Sequence, residues 1–238
     1  MTSRERMMAA LRCEDVDYVP FSNFFSTLHE SYRLSSPLDA RYSFPWHPTE
    51  REMLDYCVNE LGLDQVVQGF SWSYRPAGGV SSRVWQEGST IHKVWTTPAG
   101  DLHASVRYDD RWNFDLDIPL YSDQNIGHFE EPWLQTEQDL ECLKHILLPV
   151  DGKQTLDRMR FRYDKARRTA DRWGLPTFAT VGMGLTGAMH LCGATGLCTL
   201  VMDDPDLVDA YVELEHQLNL HNLEIALDLG VDIFKRNG

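Results

Sequence analysis

The second half of the chain alternates apolar runs of strand length with runs of helical length, and this alternation limits the possible folds more than any other feature. The stretch 176–183 (PTFATVGM) is apolar and has the length of a strand, and Val231–Lys235 begins another. Between them lie a small-residue segment, 187–202, and a longer helical segment that Asp203-Asp204-Pro205 caps and Gly230 ends. Strand–helix–strand order is typical of a parallel sheet, so the sequence predicts an α/β fold.

The N-terminal part follows the same order. A helix is predicted from Thr2 to Arg12, with Ser3 able to cap its first turn, and the apolar residues 19–25 predict a first strand. A capping-box signature opens a second helix over residues 49–61, and residues 63–70 (LDQVVQGF) predict a second strand.

Residues 71–135 interrupt this order. Glycines and prolines separate short alternating runs such as SRVWQEG and TIHKVWTT, a pattern that indicates β-hairpins inserted as an excursion. Regular structure resumes at Thr136, where TEQDLECLKHI predicts a capped helix. A long charged helix is predicted over Thr155–Trp173, with Gly174 as its stop.

The number of strand–helix units suggests an incomplete barrel. A complete (β/α)8 barrel has eight such units, whereas about four or five can be counted here, and the last strand runs into the C-terminus. We therefore expect a single barrel domain over residues 1–238, truncated after about the fifth strand. Its exposed strand edges would favour pairing with a second copy as a homodimer.

Composition excludes several classes of protein. A formal net charge of -14 argues against nucleic-acid binding, which needs clustered Lys and Arg. The five cysteines are dispersed and form no CxxC pair, as expected of reduced thiols. The N-terminus has no apolar signal region, and no apolar run is long enough to span a membrane. These features predict a cytoplasmic protein without a membrane partner.

Several segments, in the same order along the chain, resemble the uroporphyrinogen decarboxylase superfamily. The opening TSRERMMAALRCEDVDYVPF is similar to the start of its members, and TEQDLECLKHILLPVD is similar to one of its helices. From Thr180 to Gly238, the positions Gly182, Gly193, Asp203-Asp204-Pro205 and Leu229–Asp232 resemble the family's fourth strand through to its fifth. The resemblance implies a TIM barrel of the uroporphyrinogen decarboxylase type.

Within that superfamily, the residues favour the methyltransferase branch over the decarboxylases of heme synthesis. The arginine pair that binds carboxylates in the decarboxylases would fall near Phe25 and His29, and a phenylalanine cannot pair with a carboxylate. The catalytic aspartate of that branch would fall near Gly69 or Phe70, and its tyrosine in the neighbourhood of His190. The resemblance therefore implies methyl transfer that involves a corrinoid, with a corrinoid protein as a partner.

Members of the methyltransferase branch use a zinc ion to hold a thiolate nucleophile, with a His-x-Cys pair and a distant Cys as ligands on later strands. His190-Leu191-Cys192 copies the first part of this motif. Two ligands without a third do not make a metal site, so we expect His190 and Cys192 to pack inside a helix. Any zinc ligands are expected outside this chain.

Candidate site residues follow from the rule that active sites of such barrels lie at the carboxyl ends of the strands. The candidate catalytic residues are His190, His29 and Lys235. The candidate substrate-binding residues are Asn23, Trp72, Tyr74, Met183, Gly184, Arg236 and Asn237. Structural alternatives stay open, because Gly184 also permits tight packing and Lys235-Arg236 is also typical of a solvated strand end.

The long helix before the last strand carries several charged and histidine side chains, and we expect these to form a solvated face. They are Glu213, Glu215, His216, His221 and Glu224.

Two other functions stay open beside corrinoid methyl transfer. One is a carboxy-lyase that acts on a tetrapyrrole or another carboxylate. The other is a non-catalytic barrel that binds a corrinoid or a protein partner.

Overall fold

The computed structural model describes residues 1–22, 54, 56–109, 112, 114–121 and 128–236 of the protein. Over these residues the fold is mixed α/β, with a three-stranded parallel sheet and a four-stranded antiparallel sheet. The predicted α/β class and parallel sheet are confirmed. A closed barrel is not seen in the part of the chain that is described.

Helices α1 to α6 span Ser3–Leu11, Glu137–Ile146, Lys153–Trp173, Leu185–Cys192, Ala194–Asp203 and Pro205–Leu229. Strands β1 to β7 span Val67–Ser71, Ser81–Glu87, Thr90–Thr97, Gly100–Arg107, Phe129–Glu131, Thr177–Gly182 and Ile233–Arg236. A short π-helix spans Tyr56–Glu60.

The chain divides into two compact units, each built from separate stretches of sequence. The first unit comprises Met1–Ser71, Gly152–Ala179 and Ala226–Phe234. The second unit comprises Trp72–Asp151, Thr180–Ile225 and Lys235–Gly238.

The parallel sheet has the strand order β1-β6-β7. The predicted strands at 63–70, 176–183 and 231–235 are therefore confirmed, with bounds that differ by a few residues. A strand was predicted over residues 19–25. Residues 19–22 form no strand, and residues 23–25 lie outside the described residues. Phe21 instead contacts Asp64 as a loop residue: its carbonyl oxygen accepts the Asp64 amide at 2.8 Å, and its own amide donates to the Asp64 carboxylate at 3.3 Å.

In the first unit, the N-cap of helix α1 lies one residue earlier than predicted. Thr2, and not Ser3, is the N-cap residue, and its hydroxyl accepts the Glu5 amide at 3.2 Å. The Glu5 carboxylate in turn accepts the Thr2 amide at 2.8 Å, which completes a capping box. Since both exchanged bonds satisfy first-turn amides, Thr2 stabilises the start of the helix.

Asp232 joins four segments of the first unit at the start of β6 and β7. Its mostly buried carboxylate accepts hydrogen bonds from the Thr177 amide at 2.9 Å and the Thr177 hydroxyl at 3.1 Å. It also pairs with Arg4 of α1 and, at 3.0 Å, with Arg167 of α3. Burial alone would raise the pKa of Asp232, but the Thr177 amide and the Arg4 guanidinium bring it below its ordinary value.

The second unit contains the antiparallel sheet, in the order β2-β3-β4-β5, and this confirms the β-hairpins predicted after residue 71. Ile91, Leu102 and Val106 point from its inner face into a core that is closed by Trp133 and Leu143, and all five side chains are fully buried. Leu102, Ala104 and Val106 recur at every second residue of β4 and are all fully buried, so this strand turns one face to the core.

The small-residue segment predicted as one helix over 187–202 is two helices, α4 and α5, bent by 107°. The break is at Gly193, which has a φ of 73° that only glycine adopts readily. Among the described residues, no single helix is long and apolar enough to cross a membrane, and only this bent pair meets the criterion when its two members are taken together.

The Asp232 contacts lead to a prediction about stability. We expect Asp232→Asn to lower the free energy of unfolding at neutral pH by about 2 kcal/mol, because Arg4 and Arg167 lose their counter-ion. Since the folded-state pKa of Asp232 is lowered, its stabilisation is present above the unfolded-state value of about 4 and is lost as the pH falls through the folded-state value. Urea unfolding between pH 3 and pH 7 measures both effects.

The matched control is Asp228→Asn, because Asp228 is exposed on α6 in the same unit. Its unfolding curve should match that of the native protein. Equal curves for the Asp232 variant and this control at neutral pH would contradict the role of Asp232.

Candidate functional site

The residues that follow or end the three parallel strands are brought together in the second unit. Trp72 follows β1, Met183 follows β6, and Arg236 is the last residue of β7. A fourth element, α6, supplies Glu215, which contacts Met183 and Arg236, and Asn219, which contacts Trp72. Parallel strands present their carboxyl ends at one edge of a sheet, which is where ligands bind in α/β proteins.

Glu215 is the centre of this site. It is fully buried, and its Oε1 accepts the backbone amide of Met183 at 2.6 Å. Its Oε2 accepts the side-chain amide of Asn219 at 2.5 Å and lies 3.6 Å from the guanidinium of Arg236. Removing a carboxylate from water is costly in free energy, so a buried carboxylate needs hydrogen-bond donors such as these in place of its water shell.

The prediction that Glu215 belongs to a solvated face of its helix is wrong. Tyr211, Glu215 and Asn219 recur every four residues, so they share one face of α6, and all three are buried. Glu213 and Glu224 are exposed as predicted. His221 is half-buried, and its Nε2 lies 2.8 Å from the carbonyl oxygen of Val150.

Asn219 connects Glu215 to Trp72. Its side-chain oxygen accepts the indole N–H of Trp72 at 2.8 Å. Gly182 makes room for it, because a Cβ at this position would lie 2.1 Å from the Asn219 side chain. One turn along α6, Asn222 holds both backbone groups of Ser73, donating at 3.0 Å and accepting at 2.9 Å. Two asparagines thus fix the segment after β1 on α6.

An aromatic cluster lines the same region. Trp72 packs against Tyr74 and Tyr121 with ring centroids 5.3 and 4.8 Å apart, the second contact edge-to-face. The hydroxyls of Tyr121 and Tyr211 are 3.0 Å apart. Sequence reasoning missed Tyr121 and Tyr211; the four-residue spacing of Tyr211, Glu215 and Asn219 was the signal available for the second.

Burial keeps these phenols protonated. It raises the pKa of Tyr74 to about 12, with a further contribution from Asp117, and raises the pKa of Tyr121 and Tyr211 well above the ordinary value. Since a protonated phenol retains its O–H donor at neutral pH, the cluster offers ring surface and hydrogen-bond donors but no negative charge of its own.

The remaining candidates have different surroundings. Gly184 has a φ of 56°, which glycine adopts readily, and Lys235 is exposed beside Arg236 in β7. Asn23, His29 and Asn237 lie outside the described residues.

His190 and Cys192 are both buried in α4, as the sequence predicts for a packed helix. Burial raises the pKa of Cys192 to about 12, so this thiol is protonated at neutral pH. Across the described ranges, no group of three or more His, Cys, Asp or Glu side chains can hold a metal ion. Among the described residues, His190 and Cys192 therefore have no third ligand that would complete a zinc site with them.

Position 69, where the catalytic aspartate of the decarboxylases would fall, is occupied by a glycine that cannot act as an acid. Gly69 lies in β1, and a Cβ there would be 2.9 Å from the ring of Tyr163. The Tyr163 hydroxyl donates to the carbonyl oxygen of Gly230 at 2.5 Å, so the ring cannot easily move away. The packing of the first unit leaves no room for an acid at this position.

The close approach of Asn219 to Gly182 can be tested by adding one methyl group. We expect Gly182→Ala to displace Asn219, to break its hydrogen bond with Trp72 and to lower the free energy of unfolding by about 2 kcal/mol. The indole N–H signal of Trp72, assigned by its loss in Trp72→Phe, should shift and exchange faster with solvent.

The control is Gly78→Ala, because a Cβ at Gly78 would meet no atom within 4 Å. An unchanged indole signal in Gly182→Ala would show that Asn219 does not depend on this glycine.

The chain was compared with protein-family models, curated proteins and solved structures, and none of them matches it.

Proposed function

We propose that this protein is a barrel enzyme of the uroporphyrinogen decarboxylase type that takes part in methyl transfer involving a corrinoid. The observation that carries the proposal is the meeting of three strand-end residues, Trp72, Met183 and Arg236, around the buried carboxylate of Glu215. This arrangement follows the rule for active sites in parallel α/β proteins.

The strand order supports a barrel. The three parallel strands are neighbours in chain order, β1-β6-β7, with helices in each connection. Barrels keep chain order around the sheet, whereas doubly wound sheets reverse it at a switch point. The antiparallel sheet is then an insertion between the first two of these strands.

The chemistry of the site suits a large, flat and mostly apolar ligand such as a corrin ring. Trp72 and Tyr74 provide ring surface, and Gly184 allows a close approach to the backbone. Glu215 holds the Met183 amide and lies beside the Arg236 guanidinium, so it positions both groups. Lys235 remains a catalytic candidate at the exposed end of β7. No step is assigned to zinc, because the described residues offer no third ligand beside His190 and Cys192.

One observation favours a carboxy-lyase as a second candidate. Among the described residues, the only polar contact of the Arg236 guanidinium is the 3.6 Å ion pair with Glu215, and half of its side chain is exposed. Its remaining N–H groups are able to bind a substrate carboxylate. Against this candidate, Gly69 and Phe70 provide no acid where the decarboxylases place one.

The test is a titration of the protein with hydroxocobalamin and methylcobalamin, followed by corrinoid absorbance. We expect saturable binding that Trp72→Leu weakens about tenfold, because the variant removes the ring contact with the ligand and the hydrogen bond that holds the indole on Asn219. The control is Trp85→Leu on the outer face of the antiparallel sheet, which should bind as the native protein does.

Each other outcome points to a different function. Decarboxylation of a porphyrinogen without corrinoid binding would support the carboxy-lyase. Corrinoid binding without demethylation of methylcobalamin by any thiol acceptor supplied would support a non-catalytic binding protein. No binding and no turnover would contradict the proposal.

A further inference from the structure

Helix α5, Ala194–Asp203, presents an uncharged face to solvent. No residue of this ten-residue helix is buried, and Val201 and Met202 are 45% and 80% exposed. Thr195 and Thr199 lie on the same side of the helix, and the Thr199 hydroxyl donates back to the Thr195 carbonyl oxygen at 3.2 Å. Because that hydroxyl is used within the helix, the surface that Thr199 shows is largely its methyl group. An apolar helix face of this kind is typical of an interaction surface.

The charge of the whole chain restricts what can cover this face. Asp and Glu number 36 against 22 Lys and Arg, so most faces of two copies would repel each other. The stretch from Leu185 to Met202 contains no Asp, Glu, Lys or Arg. It is therefore a surface on which a second copy can approach without bringing like charges together.

The two ends of α5 are complementary to each other. Gly193 at the N-terminus provides no side-chain cap, so no capping side chain occupies the first-turn amides. At the other end Asp203 is exposed, and within the described part of the chain it makes no hydrogen bond or ion pair. A helix with an open positive end and a free carboxylate at its negative end is matched by the same helix in the opposite direction.

We propose that a second copy of this chain docks on α5, with the two α5 helices antiparallel across a two-fold axis. The axis passes near Thr199, midway between Thr195 and Asp203. Asp203 of each copy then lies beside the uncapped first turn of the other, and Met202, which shares a face with Thr195 and Thr199, is removed from water. A two-fold axis repeats every contact, so the surface is complementary to itself.

The size of the surface sets the strength expected of this dimer. A helix of ten residues is about 15 Å long, so one such helix from each copy makes an interface smaller than the standard size. The dimer should therefore be weak, and its population should rise with protein concentration.

Sedimentation velocity over a range of protein concentrations tests the proposal. The native chain should move from the 27.4 kDa monomer towards a dimer as the concentration rises. Thr195→Asp should weaken the dimer about tenfold, because it places a carboxylate beside Asp203 of the other copy at both ends of the interface. An acidic residue in the first turn favours the helix itself, so this loss cannot be attributed to unfolding.

A charge reversal then separates the docking geometry from other effects. Asp203→Lys alone should weaken the dimer, and the double variant with Thr195→Asp and Asp203→Lys should restore it. Both substitutions suit the helix dipole of the monomer. Phe161→Gln, which changes a side chain 71% exposed on α3, is the control and should leave the dimer unchanged.

Cys198 supplies an independent readout, since it is exposed and lies one residue from the proposed axis. In a Cys13→Ser background, a short bis-maleimide should link two copies through Cys198, and Thr195→Asp should abolish the link. A native chain that stays monomeric up to its solubility limit would overturn the proposal. A dimer whose dissociation constant is the same in the native chain, in Thr195→Asp and in Asp203→Lys would overturn the proposal as well. Neither result depends on corrinoid binding, so this proposal and the proposed function can fail separately.

Discussion

The first unit depends on the hydrogen bonds and ion pairs that the carboxylate of Asp232 makes. Thr177 begins β6 and Asp232 directly precedes β7, so one side chain fixes the start of two parallel strands. Arg4 and Arg167 bring α1 and α3 to the same point. A parallel sheet needs long connections between its strands, and this local contact ties those connections together where the strands start.

Glu215 has a comparable role in the second unit, with different consequences. It accepts hydrogen bonds from a backbone amide and a side-chain amide, and it is fully removed from water. The residues around it hold their positions through hydrogen bonds to one another rather than through packing alone. Because buried polar groups are costly when unpaired, each member of this network specifies where the next one lies.

Local patterns predicted much of the fold. The cap at Thr136, the stop at Gly174 and the strand at β6 each depend on a few neighbouring residues, so their signals are visible in sequence. The break at Gly193 was not predicted, because a glycine among small apolar residues is equally compatible with one continuous helix.

The candidate site was predictable only in part. The strand-end rule found Trp72, Met183 and Arg236, since it depends only on where strands end. It could not find Glu215, because a glutamate on a long helix is exposed unless distant segments supply its donors. Tyr121 comes from an irregular segment of the excursion, and no periodic pattern marks it.

The missing side chain at Gly182 also limits how this protein can evolve. The space that a Cβ would occupy is filled by Asn219, which comes from a different part of the chain. A larger residue at position 182 becomes tolerable once position 219 has become smaller, but that change removes the partner of Trp72. Positions 72, 182 and 219 are therefore expected to change together in evolution. Correlated substitutions at these positions would indicate the contact between the strand end and the helix.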